Sequence, residues 1–212
     1  MTQKNELISS LTHLIFGIIA IFLGGLIVLK GISLKSFTHI TAYLIFSLSM
    51  VGLYFSSGTY HFISENTPLK RIFKKIDHIM IFVMIAGTYT PFCLITLSGS
   101  LGWILLGTIW GIAILGIIFK LFYINAHRLL YTSIYLVMGW IVIVAIYPIY
   151  KNLSLKGLLL LLIGGLFYTI GGVIYALKKP NPIPQVFGFH EIWHIFVILG
   201  TIFHYLTIYI YT

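Results

Sequence analysis

Charge is scarce in this chain. Only 8% of its 212 residues are Asp, Glu, Lys or Arg, against roughly 25% in an ordinary soluble domain. Acids are scarcer still, with 4 Asp+Glu against 13 Lys+Arg. Cysteine is almost absent: Cys93 is the only one, which excludes an intramolecular disulfide and a cysteine-based metal cluster. The polar start, Met1 to Ser10, lacks the pattern of a cleavable signal, and the apolar run behind it is too long for a signal core. What is present is apolar: 59% of the residues are hydrophobic and the mean hydropathy is +1.05. These values describe an all-α, polytopic membrane protein, and residues 1–212 are expected to form one transmembrane domain. The net charge of +9 fits cationic loops that hold membrane topology. No basic stripe interleaved with aromatics points to nucleic acid.

Seven apolar stretches are long enough to span a bilayer: 11–29, 40–60, 77–97, 101–119, 129–149, 157–177 and 189–211. The separators carry charges and helix breakers. The connection after Leu177 holds Pro180, Pro182 and Pro184, which favour an extended loop. Within the third stretch, Pro91 predicts a kink. Glycine pairs at Gly24/Gly25, Gly107/Gly111, Gly164/Gly165 and Gly171/Gly172 are expected to allow close helix packing. Tyr and Trp residues read mostly as an interfacial belt. Lys70 to Lys75 reads as a topology anchor, and no internal repeat is evident.

The cations set an orientation. With the N-terminus in the cytoplasm, nine fall inside: Lys4, Lys70, Arg71, Lys74, Lys75, Lys120, Arg128, Lys178 and Lys179. Four fall outside: Lys30, Lys35, Lys151 and Lys156. The positive-inside rule therefore predicts a seven-helix bundle with a cytoplasmic N-terminus and an external C-terminus.

That topology gathers the chemistry-bearing residues. The second stretch ends at the cytoplasmic face with Ser57 and His61, four residues apart on one helix side. The third begins there with Asp77 and His78. The seventh begins there with His190 and His194, again four apart. Three imidazoles give zinc three ligands and leave a fourth position open. A carboxylate beside that position can act as general base toward a metal-activated water, a role assigned to Asp77. Ser57 is placed to orient the water or stabilise an oxyanion. Asp77 could instead serve the helix dipole or pair with Lys74 or Lys75, and Ser57 could bond a carbonyl one turn back.

The pattern Ser57-x-x-x-His61, then Asp77, then His190-x-x-x-His194 resembles the hemolysin III family. That family is the bacterial branch of the progestin and adipoQ receptor superfamily, which includes the adiponectin receptors. Thr12-His13, Tyr60-His61, Asp77-His78 and Gly87-Thr88-Tyr89-Thr90-Pro91 match as well, so the resemblance runs from about Glu6 to Tyr205. It implies a seven-helix bundle with the N-terminus inside, in a bacterial plasma membrane. It implies one zinc ion on His61, His190 and His194, with Asp77 holding a zinc-bound water and Ser57 close by. Eukaryotic relatives are associated with hydrolysis of ceramide-like lipid amides, and alkaline ceramidases carry similar sites. The chain is shorter than the eukaryotic receptors, which favours the bacterial branch.

The expected function is a zinc-dependent hydrolase of lipid amides or esters, with membrane lipid as substrate or ligand. An alternative is a non-enzymatic sensor or cytolytic, pore-forming protein in which zinc is structural. His190-Glu191-Ile192-Trp193-His194 also matches the H-E-x-x-H pattern, which gives an intramembrane metalloprotease with Glu191 as base. A zinc transporter would want further ligands toward the outside, where His204 stands alone. His13 and His78 are weaker candidates for the site, and His39 and His127 fall near loops.

Overall fold

The computed structural model describes residues 3–65, 67–123 and 127–212. Its order is α1 (Gln3–Ser33), α2 (Phe37–Phe62), α3 (Pro68–Pro91), a π-helical turn at Phe92–Leu97 and α4 (Gly99–Phe122). Then come α5 (Arg128–Trp140), a 3-10 turn at Ile141–Ala145, α6 (Ile146–Leu177) and α7 (Phe189–Tyr211). Six helical stretches are long and apolar enough to cross a membrane, the fifth being the continuous run Arg128–Leu177. Large apolar side chains stand outward along them, among them Ile18, Phe22, Trp103, Leu115 and Val144. A chain that exposes so much apolar surface needs lipid around it.

Local chemistry sets the helix ends. Ser36 caps α2 by accepting from His39 N–H, and Thr67 caps α3 by accepting from Lys70 N–H. Pro68 follows Thr67 at the first helical position, where its missing N–H costs nothing. Pro91 ends the regular part of α3, and the chain continues as π-helix. Proline offers no N–H to the carbonyl one turn back, and wider winding accommodates the defect. The expected kink is thus a change of helix type. The proline-rich connection is a loop closed by paired backbone bonds between Ile183 and Phe187 (3.0 and 2.9 Å).

The fifth stretch is not straight. Uninterrupted helix over its 50 residues would run about 75 Å, against roughly 30 Å of hydrocarbon. Ser154 breaks it with φ 65° and ψ 168°. The two sides of the break touch: Arg128 donates to Tyr175 O (3.0 Å), and Trp140 Nε1 donates to Thr169 Oγ1 (2.9 Å). Residue pairs 128/175 and 140/169 converge toward Ser154 from either side, which is the pattern of a hairpin. Tyr89 supports the 3-10 turn, donating to Gly139 O (2.7 Å) and accepting from Val142 N–H (2.8 Å).

The glycines sort by contact. A Cβ on Gly24 would meet Ser47 Cβ at 3.0 Å, and one on Gly171 would meet Phe196 Cβ at 2.8 Å. Gly25, Gly107, Gly111 and Gly165 face open space. The expected packing role therefore holds for Gly24 of the α1 pair, for Gly164, which faces His204 and the Gly200 carbonyl, and for both residues of the Gly171/Gly172 pair. It fails for Gly107/Gly111, because that side of α4 has no helix against it. Between the N-terminal half of α2 and α7 the core is aromatic, with Phe46 and Tyr205 stacked at 6.5 Å.

Candidate metal centre

Two helices present the ligand set, and a hydroxyl cluster one heptad deeper fixes their register. Tyr54 OH lies 2.6 Å from Thr201 Oγ1, and Tyr168 OH lies 2.8 Å from the same atom. Tyr54 precedes His61 by seven residues and Thr201 follows His194 by seven. Seven residues are close to two helical turns, so the histidines lie on the faces that this cluster locks together.

The result is convergence. His61, His190 and His194 each offer a ring nitrogen, and these atoms lie within 4.8 Å of one another. His61 Nε2 and His190 Nε2 face each other at 3.1 Å. His61 and His194 are buried, and among the described residues neither ring nitrogen of His194 has a hydrogen-bond partner. An orphaned buried imidazole is costly in an apolar interior. A divalent ion accepting those lone pairs removes that cost, so the donor set fits zinc. Of the predicted ligands, all three come together.

Asp77, His78 and Ser57 line a cavity of about 370 Å³ that also exposes His61 and His190. His194 stands behind these two, outside the cavity lining. Asp77 and Ser57 are buried, and the nearest ionic partner of Asp77 is His78, whose Nδ1 is 3.7 Å from Oδ2. His78 Nδ1 also donates to Lys74 O at 2.7 Å. The cavity walls are largely apolar, from Leu53, Ile81, Met84, Phe92 and Leu161. Lys74 and Arg128 line it as well. His204 lines it too and donates Nδ1–H to Gly200 O (2.7 Å); it stands outside the triad, as its distance along α7 predicts.

His13, a weaker candidate in the sequence, lies parallel to His194 with ring centroids 3.6 Å apart, and among the described residues its own nitrogens are unpartnered. One feature was not found from the sequence. Glu6 accepts from His61 Nδ1 and from Lys70 Nζ, each at 2.9 Å. The signal for Glu6 was its place seven residues before His13, on the same face of α1. Lys70, expected as a topology anchor, is buried and paired. Glu191 has a third kind of role. Its Oε1 accepts from Ser9 Oγ (2.9 Å), and its Oε2 accepts from Gly188 N–H (2.7 Å) and Asn5 Nδ2 (3.2 Å). The carboxylate caps the start of α7 and ties it to α1.

This geometry accords with kinship. A family model for haemolysin-III-related proteins matches residues 1–205. The chain belongs to the haemolysin-III-related family. It is 40% identical over 203 residues to "Hemolysin-3" of Bacillus cereus, covering 95% of this chain and 90% of the relative. It is 41% identical over 200 residues to "Hemolysin-3 homolog" of Bacillus subtilis (strain 168), covering 94% and 91%. "Monocyte to macrophage differentiation factor" of Homo sapiens is 28% identical over 191 residues, covering 88% and 76%. That more distant likeness fits the progestin and adipoQ receptor superfamily. Membership of the haemolysin-III-related family and six apolar helices make this a multi-pass membrane protein.

Proposed function

We propose that the chain is a zinc-dependent hydrolase of membrane lipid amides or esters. The observation that carries the reading is the convergence of three histidine nitrogens within 4.8 Å, with His61 and His190 lining an apolar cavity together with Asp77 and Ser57. Zinc held by three imidazoles supplies Lewis acidity and brings the pKa of a bound water toward 7. The protein's own groups do the rest. Asp77 takes a proton from the attacking water and returns it to the departing amine or alcohol as the C–N or C–O bond breaks, and its burial keeps bulk water from competing for it. Ser57 donates its O–H toward the oxyanion that forms at the carbonyl. Leu53, Ile81, Met84 and Leu161 hold the acyl chain and favour lipid over polar substrates.

The topology belongs to the same proposal. The hairpin at Ser154 supports two crossings within Arg128–Leu177, hence seven in all. The nine-to-four cation asymmetry supports a cytoplasmic N-terminus and an external C-terminus in the bacterial plasma membrane.

The printed name of the Bacillus cereus relative favours a second reading, membrane lysis with a structural ion. Against it, the triad, Asp77 and Ser57 gather at one end of the bundle, where α2 ends and α3 and α7 begin. A lytic pore needs polar groups along its whole length. The metalloprotease reading needs a free Glu191, but one of its oxygens caps α7 through Gly188 N–H and the other accepts from Ser9 on α1.

Purified full-length protein, prepared without chelators, tests the proposal. It is expected to hold near one zinc per chain and to cleave members of a panel of fluorogenic lipid amides and esters. Asp77→Asn keeps the metal and loses at least about 100-fold in rate, the scale of a positioned acid–base group. Equal turnover by wild type and Asp77→Asn sinks the hydrolytic reading.

A further inference from the structure

The inner face of His61 looks toward His190, and its outer face is held by α1. Glu6 Oε2 lies 2.9 Å from His61 Nδ1 while His61 Nε2 lies 3.1 Å from His190 Nε2. A neutral imidazole carries one N–H, and a carboxylate only accepts. The contact with Glu6 therefore requires the proton on Nδ1 and leaves the Nε2 lone pair facing the cluster. Glu6 is itself fixed. Lys70 Nζ reaches the same oxygen at 2.9 Å and stands 4.5 Å over the Tyr60 ring. Glu65 offers Lys70 a further carboxylate at 3.5 Å. The side chain of Glu6 is only 12% exposed, so water competes little for its oxygens.

The carboxylate joins three helices, with α1 giving Glu6, α2 giving His61 and α3 giving Lys70. Were Glu6 only an ion-pair partner for Lys70, nothing would require its bonded oxygen to lie within hydrogen-bond distance of His61 Nδ1 as well. The shared oxygen does both. We propose that Glu6 is a positioning residue for the metal centre, holding His61 in the tautomer and orientation that present Nε2 to the ion. Resting on the reading of the triad as a zinc site, the inference adds a carboxylate–histidine–zinc arrangement built from the N-terminal turn of the chain.

Zinc affinity, read by competition with graded chelators on full-length protein in detergent, tests it. Glu6→Gln keeps the shape and a neutral acceptor, and is expected to weaken zinc about 10-fold. Glu6→Ala is expected to weaken it by up to about 100-fold. Loading with Co²⁺ gives a second readout: the visible d–d bands shift in Glu6→Gln, because His61 loses its anionic partner. Lys70→Met separates the roles. It breaks the ion pair yet leaves Glu6 on His61, so its zinc affinity stays within about threefold of wild type. Equal melting losses in Glu6→Gln and Lys70→Met, with unchanged zinc affinity and Co²⁺ bands, overturn the inference in favour of an ion pair that only staples helices. If Glu6→Ala does not fold, Glu6→Gln decides alone. Wild type that binds no metal overturns the reading of the site itself, a result distinct from wild type that binds and a Glu6→Gln variant that binds equally well.

Discussion

Glu191 and His194 sit in one short motif and do opposite things. His194 is buried with both ring nitrogens unpartnered, as a ligand set requires. Glu191 is buried with both oxygens bonded, to Ser9, Gly188 and Asn5, as a cap requires. Removing the cap leaves the Gly188 N–H and the Ser9 hydroxyl without their acceptor, at about 1–3 kcal/mol for a buried group. Glu191→Ala is therefore expected to lower the thermal midpoint clearly, and Glu191→Gln to lower it less because one acceptor oxygen remains. Zinc stoichiometry stays near wild type in both, and turnover by the folded Glu191→Gln protein stays within about threefold. A stable, zinc-loaded Glu191→Gln protein with no turnover would restore Glu191 as a base. The ligand residues themselves were legible in the sequence, because an i, i+4 spacing fixes a helix face and the expected alternation of seven stretches brings the relevant helix ends to one side. Asp77 was singled out in the same way, as the acid that opens the third stretch. Glu6 was not, because a contact between residues 6 and 61 depends on how α1 leans on α2, which periodicity does not encode.

At the scale of elements, that lean is set by small residues. Ser10 Oγ donates to Gly58 O at 2.8 Å, and a Cβ on Gly58 would fall 2.6 Å from Leu14 Cγ and 3.1 Å from Leu14 N. Because the backbone of α1 is part of that contact, a side chain at position 58 cannot be absorbed by a rotamer change. Gly58→Val is expected to push α1 outward, costing about 1–3 kcal/mol by overpacking, and to weaken zinc because Glu6 and His13 move with α1. Gly107→Ala, where nothing lies within 4 Å, is expected to be neutral or to gain up to about 1 kcal/mol of helix propensity. Thermal midpoints of the two variants in one detergent check the contrast. A Gly58→Val protein as stable as Gly107→Ala would mean that α1 is not held where the metal site needs it. The sequence pattern picked out Gly107 with Gly111 and passed over Gly58. Their different surroundings follow from which side of each helix meets a neighbour, and α4 turns Gly107 and Gly111 away from the bundle.

For the whole molecule, the decisive question is how often the chain crosses the bilayer. Arg128–Leu177 satisfies the length and apolarity of a membrane span as one unit, yet its halves bond to each other across the break at Ser154. The sequence put a boundary there because Lys151 and Lys156 flank it. The 3-10 turn at Ile141–Ala145 left no such mark, since it lies within an apolar run where periodicity changes little, and Pro91 announced a kink but not its π-helical form. If the hairpin crosses twice, the Ser154 turn and the Lys178 end of α6 lie on opposite sides of the membrane. The single buried cysteine, Cys93, makes this measurable. In a Cys93→Ala background, Lys156→Cys and Lys178→Cys each place one thiol at an exposed position. A membrane-impermeant maleimide applied to intact cells is expected to label Lys156→Cys and to reach Lys178→Cys only after permeabilisation. Labelling of Lys178→Cys alone from outside would invert the orientation and place the metal centre at the outer leaflet. Labelling of both would mean that the hairpin does not cross. With seven crossings the site end carries nine of the thirteen cations, so an inverted orientation would also set the molecule against the strongest topological signal in its own sequence.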